Sequence, residues 1–386
     1  MHPNHTQPLT LLNQLTAEQF LTEYWQKKPL LIRQAIPDFA GLLDANELAG
    51  LACEEDVQAR IIECKQGKWS VKQGPFAESD FAKLPQGKSK KFDWTLLVQG
   101  VNHLLPEATD LLAQFNFIPT ARLDDLMVSY APDGGGVGPH LDSYDVFLLQ
   151  GSGKRHWKIS TQSDTSLIED APIRILKHFE TEQEWLLEAG DMLYLPPQVA
   201  HWGTAVGDDC MTYSIGFRAP NTQELAHEFL SYLQDHMKLD GMYQDADLAI
   251  QENHADISPH MVSKVSAMLQ NITWDENMVG HFLGQYLTEP KPHIVFEAAD
   301  DISLNSFTKH LSKQTLYLSL PSQMLCWQDT FYLNGERMNV PEACLACMQK
   351  LANQRYIEAS DVDVASIKPL AELLLPHYVA GYLSFE

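Results

Sequence analysis

The chain has 386 residues, 45% of them hydrophobic and 20% charged, with a mean hydropathy of −0.23. That composition predicts a globular protein of two or three domains and excludes a small disulfide-stapled module, a fibrous chain or a disordered one. With 27 Lys and Arg against 51 Asp and Glu the formal charge is −24, which opposes docking on a nucleic-acid backbone and fits a basic partner instead.

The opening run MHPNHTQPLTLLNQLT has neither the basic nor the apolar region of a secretory leader, and the chain has no apolar stretch of about 18 residues. Six thinly spread cysteines, Cys53, Cys64, Cys210, Cys326, Cys344 and Cys347, read as reduced thiols. A cytoplasmic protein without a membrane segment is therefore expected. Residues 16–60 read as helical: Thr16 is a plausible cap, and Asn46-Glu47 opens a second short helix. From Leu123 to Phe217 the texture turns to short β-rich runs, LMVSYA, DVFLLQG, HWKIS, DMLYLP and CMTYSIGF, punctuated by PDGGGVGP and LPPQ. Many short strands at close spacing predict a closed barrel or sandwich.

After Pro220 the period changes to about 3.6. Asn221 can cap a helix with Glu224 at N3, and Leu225, Phe229, Leu233 and Met237 form one stripe. Helical texture continues over 259–288 until Pro290-Lys291-Pro292 breaks it. Beyond lie strand-like TLYLSL and MLCWQ, a hairpin signal at Asn334-Gly335, and helical patterns at 341–353 and 361–384. Helices around a hairpin suggest a winged-helix-like domain, but with no basic cluster to meet phosphates it is expected to contact protein and not nucleic acid directly. The predicted divisions are 1–220, a barrel with N-terminal helices; 221–289, a helical domain; and 290–386, the winged-helix-like domain. The 225–237 stripe lies beside a barrel already closed on itself, so a homodimer through 221–288 is expected.

The sharpest chemical signal is Gly138-Pro139-His140-Leu141-Asp142, joined 59 residues after Asp142 by His201 in DMLYLPPQVAHWG. Residues two apart on an extended strand share a face, so His140 and Asp142 project together and barrel closure can bring His201 to them. Two imidazoles and a carboxylate on one face of an octahedron make the facial triad of non-haem Fe(II) oxygenases. In Lys154-Arg155-His156-Trp157-Lys158-Ile159 alternation puts Arg155, Trp157 and Ile159 on one face; an inward Arg155 could grip a carboxylate with its planar fork. Thr212, Ser214 and Gly216 form a small-residue face that can line a cavity, and Ser129 is a candidate hydrogen-bond donor. Cys344-x-x-Cys347 has no second pair at zinc spacing and reads as core, while His2, His5, His254, His260 and His293 read as solvated.

These residues match a family. The segments YWQKKPLLIRQA, LVQGVNHLLPE, LDDLMVSYAPDGGGVGPHLDSYDVFLLQGSGKRHWKI, EAGDMLYLPPQVAHWG and YSIGFRAPNTQEL resemble the JmjC-type bacterial ribosomal oxygenases, particularly those that hydroxylate an arginine of large-subunit ribosomal protein sixteen. The match is dense to about residue 220 and one of layout beyond it. The resemblance implies a cupin-type double-stranded β-helix barrel, a helical dimerisation domain and a C-terminal winged-helix-like domain. It also implies iron on His140, Asp142 and His201, 2-oxoglutarate on Arg155 and Ser129, dioxygen as co-reactant, and a basic ribosomal protein as partner. For a guanidinium substrate, Asp124, Asp125, Tyr144 and Asp145 are the candidate contacts. The triad does not separate this reading from a JmjC histidyl or asparaginyl hydroxylase or a lysine demethylase. A non-catalytic module that docks a ribosomal protein would have lost a ligand or the inward arginine, and neither is lost.

Overall fold

A computed structural model describes residues 7–85 and 92–385, which places the His2 and His5 expectations outside the described residues. α1 (Ala17–Glu23) begins where Thr16 and Gln19 satisfy each other's backbone N–H groups in a capping box. After β1 (Leu30–Ile32), α2 (Ala45–Leu51) is capped by Asp44, whose carboxylate accepts from the N–H groups of Asn46 and Glu47. Strands then arrive earlier than the sequence suggested: β2 (Ala59–Lys65) and β3 (Lys68–Gln73) form a hairpin, and β4 (Asp93–Val98) follows the short α3 (Glu78–Phe81). The helical expectation over 16–60 thus gives way at Leu30–Ile32 and at Ala59. Edge strand β3 alternates, with Trp69 and Val71 half-buried on one face and Lys68, Ser70 and Lys72 exposed on the other.

After α4 (Pro106–Ala113) come β5 (Leu123–Ala131), β6 (Val146–Ser160), β7 (Gln183–Glu188), β8 (Met192–Leu195) and β9 (Ala200–Phe217). These strands and β1–β4 form a nine-stranded sheet in the order β1-β8-β6-β9-β5-β4-β2-β3, with β7 paired to β6. Strand alternation divides it into two faces. Trp94, Leu96, Leu126, Val128, Phe147, Tyr213 and Phe217 pack outward with Phe20 and the N-terminal helices in the main core. Val146, Leu148, Trp157, Ile159, Leu187 and Leu193 form a separate inner cluster. Thr212 and Ser214 are buried on the inner side, as the small-residue face of β9 predicted.

α5 (Thr222–His236) starts at the predicted cap Asn221 and is followed by α6 (Pro259–Leu269) and α7 (Glu276–Thr288). The middle of the α5 stripe is covered from within, where Phe229 packs edge-on against Phe282 of α7 with ring centroids 5.2 Å apart and Leu233 is buried, while Leu225 and Met237 stay half-buried. The C-terminal part holds α8 (Leu304–Leu311), β10 (Leu316–Leu318), β11 (Met324–Trp327), β12 (Thr330–Leu333), β13 (Glu336–Met338), α9 (Leu345–Gln354), β14 (Tyr356–Ile357), α10 (Ile367–Val379) and β15 (Leu383–Phe385). The hairpin turns at Asn334-Gly335 with both residues at positive φ, as a two-residue primed turn requires. Helix in the expected 361–384 run ends at Val379, and β15 closes a three-stranded sheet instead. Cys344 and Cys347 are buried in that domain's core. His293 is half-buried, and its Nδ1 lies 3.0 Å from the Gln58 amide, tying the segment after α7 back to the barrel. No helix among the described residues is long and apolar enough to cross a membrane.

Candidate active site

His140 and Asp142 lie on the segment between β5 and β6, and His201 is the second residue of β9. The backbones of His140 and His201 bond reciprocally, N–H to carbonyl, at 3.0 and 2.9 Å, and this bridge clamps the two strands at the site. Asp142 Oδ1 is 3.9 Å from His140 Nε2, its Oδ2 is 3.5 Å from His201 Nε2, and one ligand atom from each residue falls within 4.8 Å of the others. Each ring Nδ1 lies 3.0 Å from a carbonyl two residues upstream, Gly138 for His140 and Val199 for His201. A carbonyl can only accept, so each Nδ1 carries the proton and each Nε2 offers a lone pair toward Asp142. Burial, then the neighbouring His140, holds His201 below its ordinary pKa and so in the neutral form that can ligate a cation. Gly138 turns the chain into this site at φ +77°, and a Cβ there would lie 2.7 Å from the Trp69 ring.

Arg155 lies deeper in the barrel, on β6, and only 3% of it is exposed. Its Nε and Nη2 have no hydrogen-bond partner. A buried guanidinium with free donors is stable only if something anionic meets it. Trp157 lies between this group and the triad, its ring 5.8 Å from Arg155 Cζ and 5.9 Å from the His201 ring. Ser129 is buried, but its hydroxyl already donates a long 3.4 Å bond to the Thr212 carbonyl.

The four substrate candidates separate. Tyr144 and Asp125 flank Gly216 on the inner side of β9: a Cβ on Gly216 would lie 3.9 Å from Tyr144 Cε2 and from Asp125 Oδ1. Burial, then the Asp142 and Asp125 charges, pushes the Tyr144 phenol above its ordinary pKa. The Asp125 carboxyl is raised chiefly by burial, with Lys291 opposing, and it accepts from the Gln99 amide at 2.8 Å. Asp124 pairs with Lys291 at 2.9 Å and Arg218 at 3.5 Å, and the same Lys291 lies 3.7 Å from Asp125 Oδ2. Asp145 is not brought to the site. It is fully buried on the outward side with Phe147 and accepts from Tyr194 Oη at 2.7 Å, Gln26 Nε2 at 2.9 Å and Arg122 Nη2 at 3.4 Å. That network pins the end of the segment that carries His140 and Asp142. The sequence placed Trp157 inside the barrel only as an apolar neighbour of Arg155, and it gave no sign of Thr95, a small residue in the apolar run DWTLLV.

A double-stranded β-helix with two histidines and an aspartate converging at its mouth, and a free buried arginine below, defines a JmjC-type oxygenase. Comparison with known proteins agrees. The JmjC domain family matches residues 110–225, and the ROXA-like winged helix family matches residues 269–384. The ribosomal protein uL16 3-hydroxylase of Escherichia coli K12 is 32% identical over 371 residues, covering 95% of this chain and 97% of that one. A probable ribosomal oxygenase of Haemophilus influenzae is 41% identical over 243 residues, 62% of this chain and 56% of its own. Among solved structures, the E. coli ribosomal oxygenase YcfD in complex with cobalt and 2-oxoglutarate superposes with a TM-score of 0.82 at 31% identity, covering 96% of this chain and 98% of that one. The chain belongs to the JmjC-domain ribosomal oxygenases.

Proposed function

We propose that the chain is an Fe(II)- and 2-oxoglutarate-dependent oxygenase that hydroxylates an arginine side chain of large-subunit ribosomal protein uL16. The observation that carries this reading is the pairing of a convergent His140/Asp142/His201 set with a partnerless buried arginine in one barrel. The donor set fits the metal: two neutral imidazole Nε2 atoms and a carboxylate suit iron, and three ligands leave positions open for a cosubstrate. Arg155 fits the cosubstrate, since its free donors call for the far carboxylate of a dicarboxylic acid.

His140, Asp142 and His201 would hold the iron, and Arg155, with Ser129 nearby, would orient 2-oxoglutarate. When bound, the two supply an oxidant made from dioxygen, with succinate and carbon dioxide as co-products. The rest belongs to this chain's own side chains. The Nδ1–H bonds to Gly138 and Val199 keep both ligand imidazoles aimed and deprotonated at Nε2. The Asp145 network holds the ligand segment in register. Trp157, Ile159, Leu187 and Leu193 keep water from the inner end. Asp125 and Tyr144 remain as contacts for a guanidinium, one by charge and one by its ring face. The net charge of −24 suits capture of a basic ribosomal protein, and a cytoplasmic location follows from such a substrate.

A homodimer through 221–288 is part of this reading, though on a different surface from the α5 stripe. Met242, Ile257, Val262, Leu269 and Trp274 are each more than half exposed, and Ile257, Met261, Val262, Val265 and Leu269 line one apolar hollow on α6. A contiguous apolar face of this kind marks a protein contact.

The test is incubation of the protein with Fe(II), 2-oxoglutarate and a uL16 fragment, read by mass spectrometry. A gain of about 16 Da (one oxygen atom) on an arginine, coupled to succinate release, is expected. The same gain confined to histidine or asparagine, or loss of a methyl group from lysine, would retain the cofactors and defeat the arginine assignment.

A further inference from the structure

Among the described residues, the buried side-chain polar atoms without a hydrogen-bond partner belong to three residues: Thr95 (Oγ1), Arg155 (Nε and Nη2) and Trp157 (Nε1). Buried polar groups are almost always satisfied, so three exceptions inside one barrel ask for a common cause. All three face the barrel interior. On β4 the flanking Trp94, Leu96 and Val98 belong to the outer core, which leaves Thr95 on the inner side, fully buried. Leu96 pairs with Tyr130, so Thr95 lies beside Ala131. Ala131 packs with Ala205 and Cys210, and Ala205 pairs with Arg155. Thr95, Ala131, Ala205 and Arg155 therefore lie along one inner run across β4, β5, β9 and β6, with only small side chains between the hydroxyl and the guanidinium. Trp157 extends that run toward His201. Its ring fits only because residue 203 is glycine, where a Cβ would lie 2.7 Å from the indole.

The free groups are a guanidinium, which only donates, an indole N–H, which only donates, and a hydroxyl, which can. What would satisfy them is an acceptor with several lone pairs, and a carboxylate has about four such sites. Ser129 is less available, since its hydroxyl already reaches the Thr212 carbonyl. We propose that Thr95 and Trp157 join Arg155 in binding the far carboxylate of 2-oxoglutarate, with the Thr95 hydroxyl and the Trp157 indole N–H as direct donors. This rests on the barrel being the 2-oxoglutarate site.

The test measures binding, not turnover. Full-length protein is loaded with Mn(II) under anaerobic conditions and titrated calorimetrically with 2-oxoglutarate and with oxalate, which can chelate the metal but has no far carboxylate. Thr95→Val keeps the shape and removes the hydroxyl; Trp157→Phe removes the N–H. Each is expected to weaken 2-oxoglutarate by about tenfold or more, the usual scale for losing a hydrogen bond to a charged group, with oxalate unchanged. Thr95→Ser restores the donor and is expected to bind 2-oxoglutarate like the wild type, which separates loss of the hydroxyl from damage to the fold. Unchanged 2-oxoglutarate affinity in both Thr95→Val and Trp157→Phe, or equal weakening of oxalate, would overturn the proposal. Wild-type protein that bound oxalate but not 2-oxoglutarate would instead overturn the cosubstrate reading beneath it.

Discussion

The barrel and the helical segment after it break opposite rules of folding. Inside the barrel, polar atoms of Thr95, Arg155 and Trp157 are buried without partners. On the 237–274 stretch, apolar side chains such as Met242, Ile257 and Leu269 are left in water. Each departure costs free energy in the isolated chain, and each calls for a different kind of partner: a small anion would satisfy the buried donors, and a protein surface would cover the exposed apolar groups. The lesson is that an unsatisfied group's chemistry, not merely its presence, says what is missing.

The strongest way to break this comparison is at the proposed metal ligands. Asp142→Ala should abolish both metal binding and turnover while far-UV circular dichroism stays native, because the side chain is 22% exposed and lies outside both apolar clusters. Full metal occupancy in that variant would show that the three residues do not act as a set. Next in size, Arg155→Ala should raise the Michaelis constant for 2-oxoglutarate with little change in that for iron. Removing one partner of a buried charge pair costs about 2–5 kcal/mol, or roughly 30- to several-thousand-fold. An unchanged constant would mean that the free guanidinium donors have nothing to do with the cosubstrate.

The helical face is sharpened by a charge. If the proposed α6 interface forms, Val262→Glu should shift the protein from dimer to monomer in sedimentation velocity without changing the barrel's binding of 2-oxoglutarate. In a two-fold interface the substitution occurs twice, so two carboxylates at about 2 kcal/mol each would weaken association by roughly a thousandfold. A variant that still sediments as a dimer would move the interface off α6.

Much of this was legible in the sequence, and the failures have physical causes. His140, Asp142 and His201 could be found because strand parity and barrel closure are encoded in an H-x-D followed by a remote His. Arg155 could be oriented because its neighbours at two-residue steps, Trp157 and Ile159, are apolar. The same parity rule was not applied to Asp145, which alternates with Tyr144 and so falls outward with Phe147 into the Tyr194 and Gln26 network. Thr95 was invisible for a different reason: in DWTLLV it is a small residue in an apolar strand, and only the sheet register places it on the same inner face as Arg155. The stripe on α5 was read as a dimer contact, but its centre, Phe229, already packs on Phe282 of α7 of the same chain. Periodicity identifies a face that must be buried, not what buries it.

The smallest expected effect lies where the barrel meets the C-terminal half. His103 follows β4 and sits near Lys291, His293 and Arg355, with Asp124 the opposing charge; burial first, then those cations, pushes its pKa down to about 4. The unfolded chain keeps a value near 6.5, so it takes up a proton that the folded protein refuses. The contribution to stability is therefore complete above pH 6.5 and is lost as the pH falls toward 4, to a total of about 3 kcal/mol. His103→Gln should remove that dependence: unfolding at pH 5 in urea should take up about one proton fewer than in the wild type. His201 is also depressed by burial and remains in both proteins, so its share cancels in the difference. An unaltered slope would show that His103 is as readily protonated in the folded chain as in the unfolded one, and that the contact between barrel and C-terminal half is open to water.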